Sequence, residues 1–359
     1  MTITSSVTDY HIQTTAAWEA MIAECEAAKS SIYIEEYILD PDSIGNRFIE
    51  VLIRRAKEGL DVRLLLDWWG CKSLRKSDAP QALKDAGVQL CYFNAPGWNW
   101  LGRLEIFPRD HRKILMVDGR SAFVGGVCIY EKIHDWRDSM LRVEGAILAQ
   151  LEFIFEQSWE KANSMVAHQV KAHPDFETDD KLSIYANAPD SGEHQFIEKL
   201  LAKIESATQS IQMTTPYFTP DKRLRKALLA AAARGVTVEI LLSDYSKYAP
   251  YVVGKYCAGQ LVKGGVKVYY YQPSMLHLKM MVIDENWAAI GSCNLDGLSL
   301  HHNHEVMLVA TDEAVVKTLT AHFAEDKHCS RAFRLDDWRR RPLIERICGY
   351  GFYPLQSYL

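Results

Sequence analysis

Apolar positions along this chain follow two spacings that alternate, and the alternation occurs twice. Residues 30–36 (Ser-Ser-Ile-Tyr-Ile-Glu-Glu) read as a strand. Residues 47–58 carry apolar side chains at helical spacing and stop at Gly59, and residues 62–67 form a short β-rich run. A second helical stretch ending at Gly87 and a strand over 88–93 lead to a segment that opens at His111. The later half runs the same course: a strand over 210–215, a helix over 223–234 stopping at Gly235, and a strand over 236–242. The stretch 261–265, a strand over 266–271 and a segment opening at His277 complete it. Helices that end in glycine before short apolar runs predict left-handed caps. Strands alternating with helices predict a mostly parallel sheet covered by helices.

Two copies of one α/β unit are therefore expected. The polar, turn-rich text around 165–190 serves as the connection. The boundaries are a first unit over 1–168, a linker over 169–190, a second unit over 191–330 and a tail over 331–359. A length of 359 residues agrees, since one hydrophobic core stops growing below that size.

Composition narrows the class only a little. Hydrophobic residues at 48% and charged residues at 24% are ordinary for a globular protein. A net charge of −5 argues against wholesale electrostatic capture of nucleic acid. Eight cysteines without C-x-x-C spacing, mostly in apolar runs, predict buried thiols and a reducing compartment. The N-terminal text lacks the basic and apolar regions of a signal peptide. No run approaches ~18 uninterrupted apolar residues, so no transmembrane helix is expected.

The candidate chemistry sits at the end of each repeat. His111-Arg-Lys113-Ile-Leu-Met-Val-Asp118 and His277-Leu-Lys279-Met-Met-Val-Ile-Asp284 share the pattern His-x-Lys-x4-Asp. Residues i and i+2 of a strand project to one face, so each histidine and its lysine point together. If the repeats pack face to face, two His/Lys pairs converge on one pocket. Two ammonium groups can hold the non-bridging oxygens of a phosphodiester. One imidazole, neutral, can attack phosphorus while the other, protonated, delivers a proton to the leaving alcohol. Different protonation states of the two imidazoles would give a bell-shaped pH dependence. Glycines follow both motifs, at Gly125-Gly126 and Gly291, where backbone N–H groups can approach an anion. Asp138 and Glu305, further along, offer each histidine a carboxylate.

With these residues in place the chain resembles the phospholipase D superfamily, over nearly its whole length. The resemblance implies two α/β/α domains packed about a pseudo-twofold axis, with one active site between them. It implies His111 as nucleophile and His277 as general acid and base, with Lys113 and Lys279 binding phosphate. Asp118 and Asp284 complete the motifs in a structural role. Asp138 and Glu305 orient the histidines, and Gly126, Ser292 and Asn294 line the phosphate site. One departure is Cys128, where the family usually places an asparagine matching Asn294. No metal or cofactor is implied, although His301, His302 and His304 cluster near the second motif.

Within the superfamily the text is most similar to bacterial cardiolipin synthases of the short type without membrane spans. The similar stretches are 109–113, 123–126, 136–138, 143–145, 215–220, 291–296, 303–305 and 338–346, with Gly297 standing where an arginine is common. That resemblance implies phosphatidyl transfer between two phosphatidylglycerol molecules through a phosphatidyl-histidine, releasing glycerol. The partners would be anionic phospholipids and a membrane surface, reached peripherally from the cytoplasmic face, with the chain active as a monomer. Trp98 and Trp100, in the loop before His111, and the arginine-rich apolar tail are the expected lipid contacts. A hydrolytic phospholipase D, or a nuclease or other soluble phosphodiesterase, would use the same pocket.

Overall fold

The computed structural model describes residues 4–95, 97–98, 104–105, 107–163, 181–189, 192–244 and 249–341. Two large sheets carry the fold, one from each half of the chain. In the first, the strands lie in the order Ser6–His11, Met140–Glu144, Ser121–Gly125, Lys113–Val117, Ser31–Glu36, Asp61–Asp67, Gln89–Phe93. In the second, the core order is Leu182–Ala188, Glu305–Ala310, Trp287–Gly291, Met280–Ile283, Ser210–Thr215, Thr237–Ser243, Lys267–Tyr271. The repeat read from the sequence is thus a repeat of sheet topology.

The sheets are mixed rather than mostly parallel. Ser31–Glu36, Asp61–Asp67 and Gln89–Phe93 run parallel, as do their counterparts Ser210–Thr215, Thr237–Ser243 and Lys267–Tyr271. Each motif strand instead runs antiparallel to both neighbours. The reason is local. Asp118 and Gly119 (φ 56 and 61), like Asp284 and Glu285 (φ 50 and 51), adopt the left-handed conformation, so the chain doubles back without a crossover helix.

Helix Ser43–Lys57 starts where the Asp42 carboxylate accepts the Gly45 N–H. Its counterpart Lys222–Ala233 starts where Asp221 accepts the Leu224 N–H. Gly59 and Gly235 follow at φ +94 and +91, the left-handed exits expected of them.

Each half has its own core between sheet and outer helices. A third core lies between the sheets and belongs to both halves. Ile114, Met116, Val124 and Leu141 meet Met280, Val282, Ile290 and Leu308 there, flanked by helices Ile147–Asn163 and Glu313–His328. Alternation along each motif strand explains this: Leu115 and Val117 face the private core, Ile114 and Met116 the shared one.

Two segments differ from expectation. Strand Leu182–Ala188 falls inside the stretch 169–190 assigned to a linker, because its apolar alternation pairs with Glu305–Ala310. The start of the tail is also built in. Ser330–Phe333 adds to the sheet edge beside Lys267–Tyr271, and Trp338 of helix Leu335–Arg339 lies so close to Gly259 that a Cβ there would be 1.9 Å from its ring. Residues 342–359 lie outside the described residues, as do the side chains of the loop with Trp98 and Trp100. Among the described residues no helix is long and apolar enough to cross a membrane.

Candidate active site

The two motif histidines line one cavity of about 300 Å³ at the junction of the halves. Each is held by the opposite half, through backbone and side chain alike. The His111 N–H donates to the His304 carbonyl (2.9 Å), and its Nδ1 lies 2.9 Å from a Glu305 carboxylate oxygen. The His277 N–H donates to the Arg137 carbonyl (2.8 Å), and its Nδ1 lies 2.6 Å from Asp138. Reciprocal bonds close both braces: His304 N–H donates to Arg109 (2.8 Å) and Arg137 N–H to Met275 (2.9 Å). A carboxylate on Nδ1 fixes that nitrogen as the N–H and leaves Nε2 for chemistry.

Lys113 and Lys279 are fully buried beside their histidines. The Lys113 ammonium donates to the His111 carbonyl (2.5 Å). The Lys279 ammonium donates to the His277 carbonyl and lies 2.7 and 3.1 Å from the two nitrogens of the His277 ring.

The supporting residues divide into those at the cavity and those behind it. Asn294 lines the cavity. Ser292 instead donates to the Glu305 carboxylate and accepts the Val306 N–H (3.0 Å), so it braces the brace. Gly126 also supports from behind: a Cβ there would lie 2.4 Å from an Asp138 oxygen, so glycine makes room for the carboxylate that holds His277. The backbone N–H groups expected to receive an anion are already spent. Gly126 donates to Ser139 (2.9 Å) and Gly291 to Lys279 (3.2 Å), because the sheet continues through both.

Asp118 and Asp284 sit at the far ends of the motif strands. Asp118 accepts the backbone N–H groups of Lys29, Ser30 and Ser31, and Asp284 those of Thr208, Gln209 and Ser210. Each ties its strand end to the start of the neighbouring strand.

Electrostatics separate the two braces. Burial pushes His111 well below the ordinary histidine range, with Lys113 and Lys279 adding to it. Burial and Lys279 bring His277 down to about 4 against the pull of Asp138. Both shifts have desolvation as their largest cause, and both disfavour the charged ring. The asymmetry lies in the carboxylates. Burial raises Glu305 to about 7. Burial also works to raise Asp138, but Lys279 and His277 outweigh it and hold Asp138 below the usual range. Burial lowers Lys279 to about 8.

Several site residues escaped the sequence reading. Tyr37 meets the His111 ring edge-on at 4.9 Å, and Tyr217 meets His277 at 6.3 Å. Both follow the opening strand of their repeat, a signal visible once the repeats are aligned. Glu36 is buried opposite Lys113 in the sheet register, and burial raises it to about 8. Arg112, between His111 and Lys113, is buried and donates to Ser158 (2.7 Å), to the Asn187 carbonyl (3.0 Å) and to the Glu305 carbonyl (3.3 Å). The three clustered histidines diverge: His301 reaches Asp221 (3.0 Å), His302 faces Phe107 and His304 faces Phe93. Among the described residues no three metal-ligating side chains gather.

Comparison with known proteins agrees with this architecture. The family described as "Cardiolipin synthase, PLD-like domain" matches residues 21–159 and 200–327. A probable cardiolipin synthase, YwiE of Bacillus subtilis, is 32% identical over 330 residues, which cover 89% of this chain and 65% of the relative. Cardiolipin synthase A of Pseudomonas entomophila is 31% identical over 340 residues, 92% of this chain and 71% of the relative. The crystal structure of phosphatidylserine synthase from Haemophilus influenzae superposes with a TM-score of 0.77 at 14% identity, covering 99% of this chain and 97% of that one.

Proposed function

The chain belongs to the cardiolipin synthase family of phospholipase D-like proteins, and on that premise we propose that it transfers a phosphatidyl group from one phosphatidylglycerol to another, making cardiolipin. The observation that carries this reading is the reciprocal bracing of His111 by Glu305 and of His277 by Asp138 around one cavity.

In the first step the Nε2 lone pair of His111 attacks phosphorus and the bond from phosphorus to the glycerol oxygen breaks. His277, protonated at Nε2, gives its proton to that oxygen, and glycerol leaves. The ionised Asp138 favours the imidazolium of His277, and a phosphodiester anion entering beside it favours it further. The higher-lying Glu305 imposes less charge on His111, which suits a neutral nucleophile. Lys113 and Lys279 supply positive charge where negative charge builds on the phosphoryl oxygens. In the second step the hydroxyl of another phosphatidylglycerol gives its proton to His277 and attacks phosphorus, and the phosphorus–nitrogen bond breaks. His111 is regenerated and cardiolipin departs. Water in place of the second alcohol would give phosphatidic acid. One chain holds both motifs, so a monomer suffices, and the work takes place on the surface of an anionic bilayer at its cytoplasmic face.

The test is a vesicle assay. Purified protein with phosphatidylglycerol vesicles should yield cardiolipin and glycerol in equal amounts by mass spectrometry, with full activity in EDTA. Turnover of single-stranded DNA or of bis-p-nitrophenyl phosphate, with phosphatidylglycerol left intact, would refute the lipid reading.

A further inference from the structure

Among the described residues, the exposed large apolar side chains are Trp69 (52% exposed) and Phe107 (39%). Isolated apolar residues on a surface are ordinary, but one carboxylate ties the turn that carries Trp69 to the segment that follows Phe107. Asp67 accepts the N–H groups of Trp69 (2.9 Å) and Gly70 (2.8 Å) on one oxygen, and the N–H of Asp110 (3.0 Å) on the other. Asp110 directly precedes His111, and Phe107 lies three residues before Asp110. The turn at Trp69 also touches the cavity wall. A Cβ on Gly70 would lie 2.0 Å from the Tyr37 carbonyl, the Cys71 thiol donates to that carbonyl (3.4 Å), and Tyr37 lines the cavity against His111. Phe107 lies 6.2 Å from His302, next to the cavity-lining Asn303.

Basic residues follow Trp69 in the chain. Lys72 and Lys76 are exposed, and Arg75 stacks over Trp68 at 3.3 Å while donating to its carbonyl. Asp78 is the one acid among residues 68–78 and Asp40 hydrogen-bonds Ser73, so Lys72, Arg75 and Lys76 leave the patch with a net positive charge.

We propose that residues 68–76 and Phe107 form a bilayer-contacting rim beside the mouth of the active-site cavity. Trp69 and Phe107 enter the interfacial layer, and Lys72 and Lys76 pair with anionic headgroups. The aromatic rings suit the headgroup depth of a bilayer, and the cations select an anionic one. This placement sets a lipid phosphodiester a short path from His111. The proposal rests on the lipid-transfer reading for its purpose but not for its test.

The experiment is co-sedimentation with phosphatidylcholine vesicles, with and without phosphatidylglycerol, alongside hydrolysis of soluble bis-p-nitrophenyl phosphate. The parent protein should bind the anionic vesicles, and salt should weaken that binding. The double variant W69S/F107S should need about tenfold more lipid for half-binding, and K72Q/K76Q should lose the preference for anionic vesicles. Both should hydrolyse the soluble diester within about twofold of the parent rate. Unchanged vesicle binding in W69S/F107S would overturn the proposal, as would joint loss of binding and soluble turnover, which marks these residues as structural. Self-association that depends on Trp69, without vesicle binding, would assign the patch to a second copy and overturn it too. Rim-dependent vesicle binding without any cardiolipin product would uphold the rim and reject the transferase reading.

Discussion

His111 Nδ1 and the Glu305 carboxylate lie 2.9 Å apart although 194 residues separate them in the chain. Glu305 belongs to the second half and His111 to the first. The pair His277 and Asp138 mirrors it at 2.6 Å, with the halves exchanged. Neither half therefore holds a complete histidine–carboxylate pair, and each supplies the carboxylate that meets the other's motif histidine. Folding of one half alone would leave a motif histidine free to rotate and to adopt the wrong tautomer.

This exchange makes the two carboxylates testable separately. Glu305→Gln and Asp138→Asn should each lower kcat on phosphatidylglycerol vesicles by about 10²- to 10⁴-fold with a folded circular dichroism spectrum, because an amide can donate to Nδ1 and place the proton on the wrong nitrogen. A loss below threefold in either variant would mean that the cross-half pairing does not orient the ring.

The pH profile should be set by the braces rather than by free imidazoles. Glu305, raised to about 7, accepts the His111 Nδ1–H when ionised above that pH and can donate to Nδ1 when protonated below it. Donation would block the neutral tautomer with a free Nε2, so kcat/KM should fall as pH drops through about 7. Lys279, lowered to about 8, loses its charge above that pH, so kcat/KM should fall again as pH rises through about 8. Glu305→Gln should remove the acid limb and leave the alkaline one. A flat profile between pH 6 and 9 would contradict both assignments.

The nucleophile assignment has its own readout. With radiolabelled phosphatidylglycerol, His111→Ala should leave no acid-labile phosphate on the protein. His277→Ala should accumulate it when the donor carries a good leaving group, since the second step then lacks its base. Label trapped in His111→Ala but absent from His277→Ala would exchange the two roles.

Gly126→Ala tests the space behind the site. Its Cβ would meet an Asp138 oxygen at 2.4 Å and push the carboxylate off His277. Activity should drop towards the level of Asp138→Asn, whereas near-parental turnover would show that the carboxylate relaxes without cost.

Asp118→Asn should act on stability instead. It removes a charged acceptor of three backbone N–H groups, which costs about 1–3 kcal/mol and lowers the melting temperature. The hydrogen bonds hold the carboxyl below the usual aspartate range, so its contribution is complete above that range and fades only as pH falls through it. The surviving folded fraction should keep its kcat; a specific loss of kcat would bring Asp118 into the chemistry.

Much of this protein was legible in the chain itself. The doubled pattern of apolar spacing gave strands and helices close to those observed, and Gly59 and Gly235 marked helix exits because only a residue without a Cβ takes φ near +90 freely. The spacing of His, Lys and Asp marked both motifs, since a strand's two-residue period is a local property. What the chain could not disclose is contact between halves. Which carboxylate serves which histidine, that Ser292 backs Glu305, and that Gly126 yields space to Asp138 all depend on how two sheets dock. Burial shifts the titrations as well. Removal of water is the largest cause of the lowered His111 and His277, where the lysines add to it, and of the raised Glu305, where the lysines oppose it. Desolvation is a property of the packed molecule, not of any residue in it.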